Sequence, residues 1–326
     1  MHPLLLISAY AASPAHTQWD PAFEAELLPA LCALPSVGGL EVPWLGGLHP
    51  HDSGWFLHNV PSGAQLSLTA LPWVMRRCAA TPGYGLASGE PEGRLAAVAD
   101  LKLLNADVHT LAEHSPAEVS FIAIHTAPRG SGDRDAFARS LDELTSWDWG
   151  EARLVIEHCD AVRDGHRFEK GFLALQEEIE ALERASGQVD LWMNWGRSAI
   201  ELRDADAVTE QIAQAAESGH LAGLTLSGAA SADGPYGTAW TDTHPPIVET
   251  DPLSRSILDG MHVAAAIEAA RQVPWLGLKV SRKASDRTAV DVVTTIARNL
   301  EIILDARDSH SDNSPTAGRQ PDGAGG

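Results

Sequence analysis

The sequence predicts an α/β protein of the (β/α)8 TIM barrel class, and three observations carry that expectation. Short apolar runs alternate with longer amphipathic stretches, the alternation repeats eight times, and eight such units in about 300 residues match the size and order of this barrel. A doubly wound open sheet is the competitor, but no glycine-rich phosphate loop follows the first apolar run.

The units follow in order. "LLLISAY" (4–10) is the first strand, and the stretch 20–34 is its helix, with Asp20 as N-cap and Pro21 in the first turn. "GLEVPWL" (39–45) is the second strand, followed by a loop with a short helical element. "QLSLTALP" (65–72) is the third, then a Gly/Pro-rich loop and a helix over 91–114. "VSFIAIHTAP" (119–128) precedes a helix over 133–148, and "ARLVIEHCD" (152–160) precedes one over 169–186. "VDLWMNWG" (189–196) leads to a helix over 204–219, closed by a glycine. "LAGLTLSG" (221–228) leads through a long loop to a helix over 254–272, and "WLGLKVS" (275–281) to a final helix over 286–307. The expected division is one barrel domain, 1–307, and a disordered Gly/Pro/Ser-rich tail, 308–326.

Composition narrows the partners. The chain has 326 residues, 44% of them hydrophobic, enough to bury a large core. A formal net charge of -21 argues against a nucleic-acid surface, which needs clustered Lys and Arg. The three cysteines, Cys32, Cys78 and Cys159, form no CxxC pair, so the default is a reducing compartment and a cytoplasmic protein. No apolar run approaches the ~20 residues of a membrane span. The apolar N-terminus is needed as the first strand, which argues against its being a cleaved signal. A small-molecule partner is expected, with homo-oligomerisation left open.

Alternation within each strand then selects the residues that face the barrel interior. Apolar side chains must face the helices, so their neighbours point inward. This rule turns Glu41, Ser67, Thr69, His125, Glu157, Asn194, Thr225, Ser227 and Lys279 inward. A packed interior prefers Val, Ile and Leu. Each unpaired buried polar group costs about 1–3 kcal/mol, so these groups satisfy one another or line a wet pocket at the C-terminal ends of the strands. In "LVIEHCDA" (154–161), Glu157 reaches the mouth, His158 faces away, and Asp160 belongs to the next loop.

With these strands placed, the chain resembles the xylose-isomerase-like superfamily of sugar isomerases and epimerases. "GLEVPWL" is similar to its second-strand Glu motif, "FIAIHTAP" to its fourth-strand histidine, and "LVIEHCD" to its fifth-strand glutamate, which the resemblance implies to be a metal ligand. "ISAYAASP", "NWGRSAIE" and "WTDTHPP" look like an uncharacterised bacterial family of such barrels. The sequence departs from the superfamily where carboxylates or histidines would complete a metal site, carrying Asn194, Ser227 and Lys279 instead. A divalent metal (Mn, Mg, Co or Zn) is therefore not favoured. Its remnant ligands would be Glu157, Asp160 and His244.

The resulting expectation is a sugar or polyol isomerase or epimerase that moves a proton next to a carbonyl. Glu157 is the candidate base, Lys279 the electrophile beside the carbonyl, and His125 a further catalytic contact. Glu41, Asn194, Arg197, Trp195, Trp240 and His244 are candidate substrate contacts, His244 on a loop (233–246) with the composition of a lid. Trp44 and Trp73 are further aromatic candidates, with one or two of the tryptophans expected in the site. Structural alternatives are an internal Glu157–Lys279 ion pair and a surface Arg197–Glu201 pair at i+4. Functional alternatives are a glycosidase using Glu41 and Glu157, a Schiff-base aldolase using Lys279, and a non-catalytic carbohydrate-binding barrel.

Overall fold

In the computed structural model, which describes residues 4–271 and 273–312, the eight strands close into a parallel barrel in chain order. The strands are β1 (Leu4–Ser8), β2 (Val37–Pro43), β3 (Gln65–Thr69), β4 (Glu118–Ile124), β5 (Arg153–Glu157), β6 (Asp190–Asn194), β7 (Leu221–Leu226) and β8 (Trp275–Leu278). β1 pairs with both β2 and β8, with Ser8 opposite Glu41 and Ile7 opposite Leu278. That closure brings the first and last units of the chain to one mouth.

The side-chain alternation separates two cores. Leu5, Ile7, Leu40, Leu66, Ile122, Leu154, Leu191, Leu224 and Leu276 face outward and are buried under the helices. Inside the barrel, Leu6, Phe121, Ala123, Val155 and Trp192 form a separate apolar cluster against Trp275. Phe121 meets Trp192 and Trp275 edge-on, both at 5.1 Å between ring centroids. This plug fills the lower barrel, so polar groups collect at the strand ends above it.

Aspartates set several helix starts. Asp20, Asp52, Asp133, Asp204 and Asp259 each accept a backbone N–H from the first turn of the helix that follows. Several predicted boundaries change. The third strand ends at Thr69, and a helix, Leu71–Ala80, begins at once with a proline in its first turn. β6 likewise passes directly into a helix, Trp195–Leu202, capped by the Asn194 side chain. Residues 169–174 are loop rather than helix, which begins at Leu175. The last helix, Ala289–Asp312, runs past the expected limit at 307, and residues 313–326 of the expected tail lie outside the described residues. Among the described residues, no helix is long and apolar enough to cross a membrane.

Candidate functional site

Two buried ion-pair clusters occupy the mouth. In the first, Lys279 Nζ, fully buried, donates to Glu41 Oε1 at 2.8 Å and to the Tyr10 hydroxyl at 2.6 Å. Tyr10 comes from the short helix Ala9–Ala12 directly after β1. Burial lowers the affinity of Lys279 for its proton, but Glu41 and Tyr10 more than reverse that, and its pKa is raised.

The second cluster centres on Glu157, of which 4% is exposed. Its Oε1 pairs with Arg197 Nη1 at 2.5 Å and accepts from Asn194 Nδ2 at 3.4 Å, while Oε2 lies 3.0 Å from His125 Nε2. Burial pushes the carboxyl up, yet Arg197, His125 and Lys279 hold it well below the usual range. Burial lowers the His125 pKa, so the ring is neutral and shares its Nε2 proton with Glu157.

Arg197 joins this cluster to a loop residue. Its Nε donates to Asp242 Oδ2 at 3.3 Å, the oxygen to which Lys170 Nζ also donates at 2.8 Å. Burial raises the Asp242 carboxyl and the surrounding charges reverse this to well below its usual value. His244, beside it at 3.2 Å, is pushed down to about 3 by burial and is neutral, so Lys170, Arg197 and Lys279 do the reversing. His244 Nδ1 also lies 2.9 Å from Ser227 Oγ. Although Arg197 is 0% exposed and its Nη1 is taken by Glu157, its Nη2 group has no hydrogen-bond acceptor. Buried guanidinium donors left open are costly and point to an oxygen-rich ligand.

These contacts correct several expectations. Glu157 and Lys279 do not pair with each other: each has its own partner, because barrel closure sets β8 beside β1 and β2. Arg197 points into the mouth, and Glu201 instead accepts from Arg163, Gln211 and the Ala161 amide. Trp195 is fully buried in the outer core, its ring 6.3 Å from that of His262, and does not reach the mouth. The Arg203 guanidinium lies over Trp240, 5.5 Å from the ring centroid. Trp44 and Trp73 donate to Asp107 and Asp100 on the helix Pro91–His114.

The residues after Glu157 are structural. His158 turns outward and lies between Glu178 (2.7 Å) and Glu201 (3.2 Å). Burial alone would lower its pKa, but the two carboxylates raise it to about 10. A folded pKa above the unfolded value of 6.5 means that this stabilisation is complete below pH 6.5 and is lost as pH rises through 10. The urea midpoint of the wild type is expected to fall across that window, and that of His158→Asn to fall much less. Cys159 is buried and its thiol pKa is raised by burial, so it is no nucleophile. Asp160 accepts the amides of Glu169 and Lys170 at 2.7 and 2.8 Å, which turns the loop so that Lys170 reaches Asp242.

A divalent cation needs several donors with free lone pairs. Both Glu157 oxygens are already engaged, Arg197 and Lys279 contribute fixed positive charge, His244 pairs with Ser227, and Asp160 Oδ1 is the one carboxylate oxygen of the implied ligands without a partner. The mouth residues do not fit the metal that the resemblance implies. Among the described residues, the one group of three potential ligands converging within 4.8 Å is His16, Glu24 and His49. His49 Nδ1 accepts the amides of His51 (3.2 Å) and Asp52 (3.0 Å), so the ring proton sits on Nε2, facing Glu24 at 3.0 Å. Metal ligation through Nε2 would require the proton on Nδ1, where two N–H groups already point.

Sequence reasoning did not single out Tyr10, Lys170 or Asp242. Tyr10 and Asp242 stand within "ISAYAASP" and "WTDTHPP", whereas Lys170 was assigned to a helix.

The comparisons bear on the fold and the family. A xylose isomerase domain containing protein from Salmonella typhimurium LT2 superposes with a TM-score of 0.58 at 9% identity, covering 93% of this chain and 99% of that one. An L-ribulose 3-epimerase superposes with a TM-score of 0.55 at 14% identity, covering 98% and 100%. These likenesses establish a xylose-isomerase-like TIM barrel fold. The Salmonella typhimurium (strain LT2) protein named "Uncharacterized protein STM3670" is 36% identical over 270 residues, 81% of this chain and 84% of that protein. The model of the family described as "Domain of unknown function (DUF4862)" matches residues 6–294, and the chain belongs to that family.

Proposed function

We propose that the protein is an isomerase or epimerase of a sugar or related polyol, working by proton transfer next to a carbonyl. The observation that carries this reading is one buried layer holding an ionised carboxylate, Glu157, between a neutral histidine and a guanidinium with open donors, with the Lys279 ammonium close by. Enolisation needs a base at the α-carbon and positive charge at the developing oxyanion. Glu157 is the base. Arg197 and Lys279 stabilise the enediolate oxygen, and His125 holds the carboxylate through Nε2. A substrate oxygen that engages Arg197 weakens its hold on Glu157, which raises the proton affinity of the carboxylate as the reaction requires. Sugar epimerases among proteins of the same fold are consistent with this reading.

The alternatives fit less well. A glycosidase needs one of its two carboxyls as a protonated acid, but Glu157 is held ionised and Glu41 is engaged by the Lys279 ammonium at 2.8 Å. A Schiff base needs a neutral amine, whereas Lys279 is held protonated. Borohydride with aldehyde or ketone substrates is therefore expected to leave Lys279 unmodified below pH 9, checked by intact mass. Deuterium uptake at the α-carbon of aldoses and ketoses in D2O, followed by NMR, tests the proposal. Saturable sugar binding with no uptake across the panel would favour the non-catalytic barrel.

A further inference from the structure

Glu157, Asn194, Arg197 and Lys279 are 4% exposed or less, so a sugar reaches them only if something at the mouth moves. Strand residues cannot leave without opening the barrel. The loop after β7 can, and it places Asp242 against the inner layer. This loop is conformationally unusual on both sides of Asp242, with Trp240 at φ 57° and His244 at φ 52°, a region that side-chain-bearing residues rarely adopt.

Asp242 is itself an anion in a receptor. One of its oxygens is shared by two buried cations, Lys170 at 2.8 Å and Arg197 at 3.3 Å, from different strand-end segments. Arg197, which meets that oxygen through Nε, retains open donors on Nη2. Each buried cation is already paired with a carboxylate: Lys170 and Arg197 with Asp242, Arg197 also with Glu157, and Lys279 with Glu41. An incoming anion that displaced Asp242 would keep Lys170 and Arg197 paired, and a neutral ligand that displaced it would not.

We propose that Lys170 and Arg197 form a subsite for an anionic oxygen group on the substrate, a carboxylate or a phosphate, which Asp242 occupies until the ligand displaces it and the loop. The proposal rests on the sugar-enolising reading and deepens it to an acidic substrate. Asp242 is then a placeholder and latch, and Asp160 is a positioning residue for Lys170.

The test is titration calorimetry of the full chain at fixed ionic strength with D-gluconate, D-glucose 6-phosphate and D-glucose. At least one of the two anions is expected to bind tenfold or more tightly than glucose. Asp242→Asn is expected to tighten that anion about tenfold further, and Lys170→Met to abolish the preference. Preference for gluconate identifies the carboxylate form, and preference for the phosphate ester the other. Glucose binding as tightly as both anions, weaker anion binding in Asp242→Asn, or no anion binding in either protein overturns the proposal. Should Lys170→Met fail to fold, the wild type and Asp242→Asn still decide. Binding needs no turnover, so it separates this inference from the isomerase reading: α-proton exchange of neutral sugars without anion preference sinks the subsite alone, and anion binding without exchange sinks the reaction alone.

Discussion

Glu157→Gln is expected to lower α-proton exchange by about 10³-fold while leaving ligand affinity within a few-fold, measured by deuterium uptake and calorimetry on the same preparation. The amide keeps the shape and can still accept from Arg197 and Asn194, but it cannot take a proton. It also leaves Arg197 short of a counter-ion, so some loss of stability accompanies the change. Circular dichroism must show a folded barrel before the activity is read. Exchange that persisted at the wild-type rate would remove Glu157 from the chemistry and return it to a structural ion pair with Arg197.

Lys279→Met is expected to cost about 3–5 kcal/mol of stability, the usual penalty for leaving one member of a buried pair without its partner. The stranded group is Glu41, whose Oε1 now accepts from Lys279 at 2.8 Å. Adding Glu41→Gln should recover most of the loss, because the double variant buries no unpaired charge. Urea unfolding of the two single variants and the double gives the coupling directly. Full additivity would mean that the two side chains do not depend on each other, which their geometry contradicts. Activity should stay lost in the double variant if Lys279 also stabilises the enediolate. Recovery of stability without activity separates the two roles.

The behaviour of "LVIEHCDA" illustrates how far local sequence reaches. Period-two alternation correctly turned Glu157 into the mouth and His158 away from it, because a strand sends successive side chains to opposite faces and the helix-facing side must be apolar. The same rule delivered Glu41, Asn194 and Lys279 to one end of the barrel. It failed beyond the strand ends. Trp195 and Arg197 stand two residues apart on a helix that begins at the end of β6, and helical geometry sends one into the outer core and the other into the mouth.

What the sequence by itself determined was the number of strands, their order, and which side chains point inward, since each depends on short-range periodicity and on burying apolar surface. What only the tertiary structure decided was who pairs with whom. Glu41 and Lys279 are 238 residues apart and meet because β1 closes the barrel between β2 and β8. Asp242 meets Arg197 and Lys170 because two loops fold over the same mouth. Ion pairing in a buried layer is settled by distances of a few ångströms between elements far apart in the chain, and no local pattern encodes them.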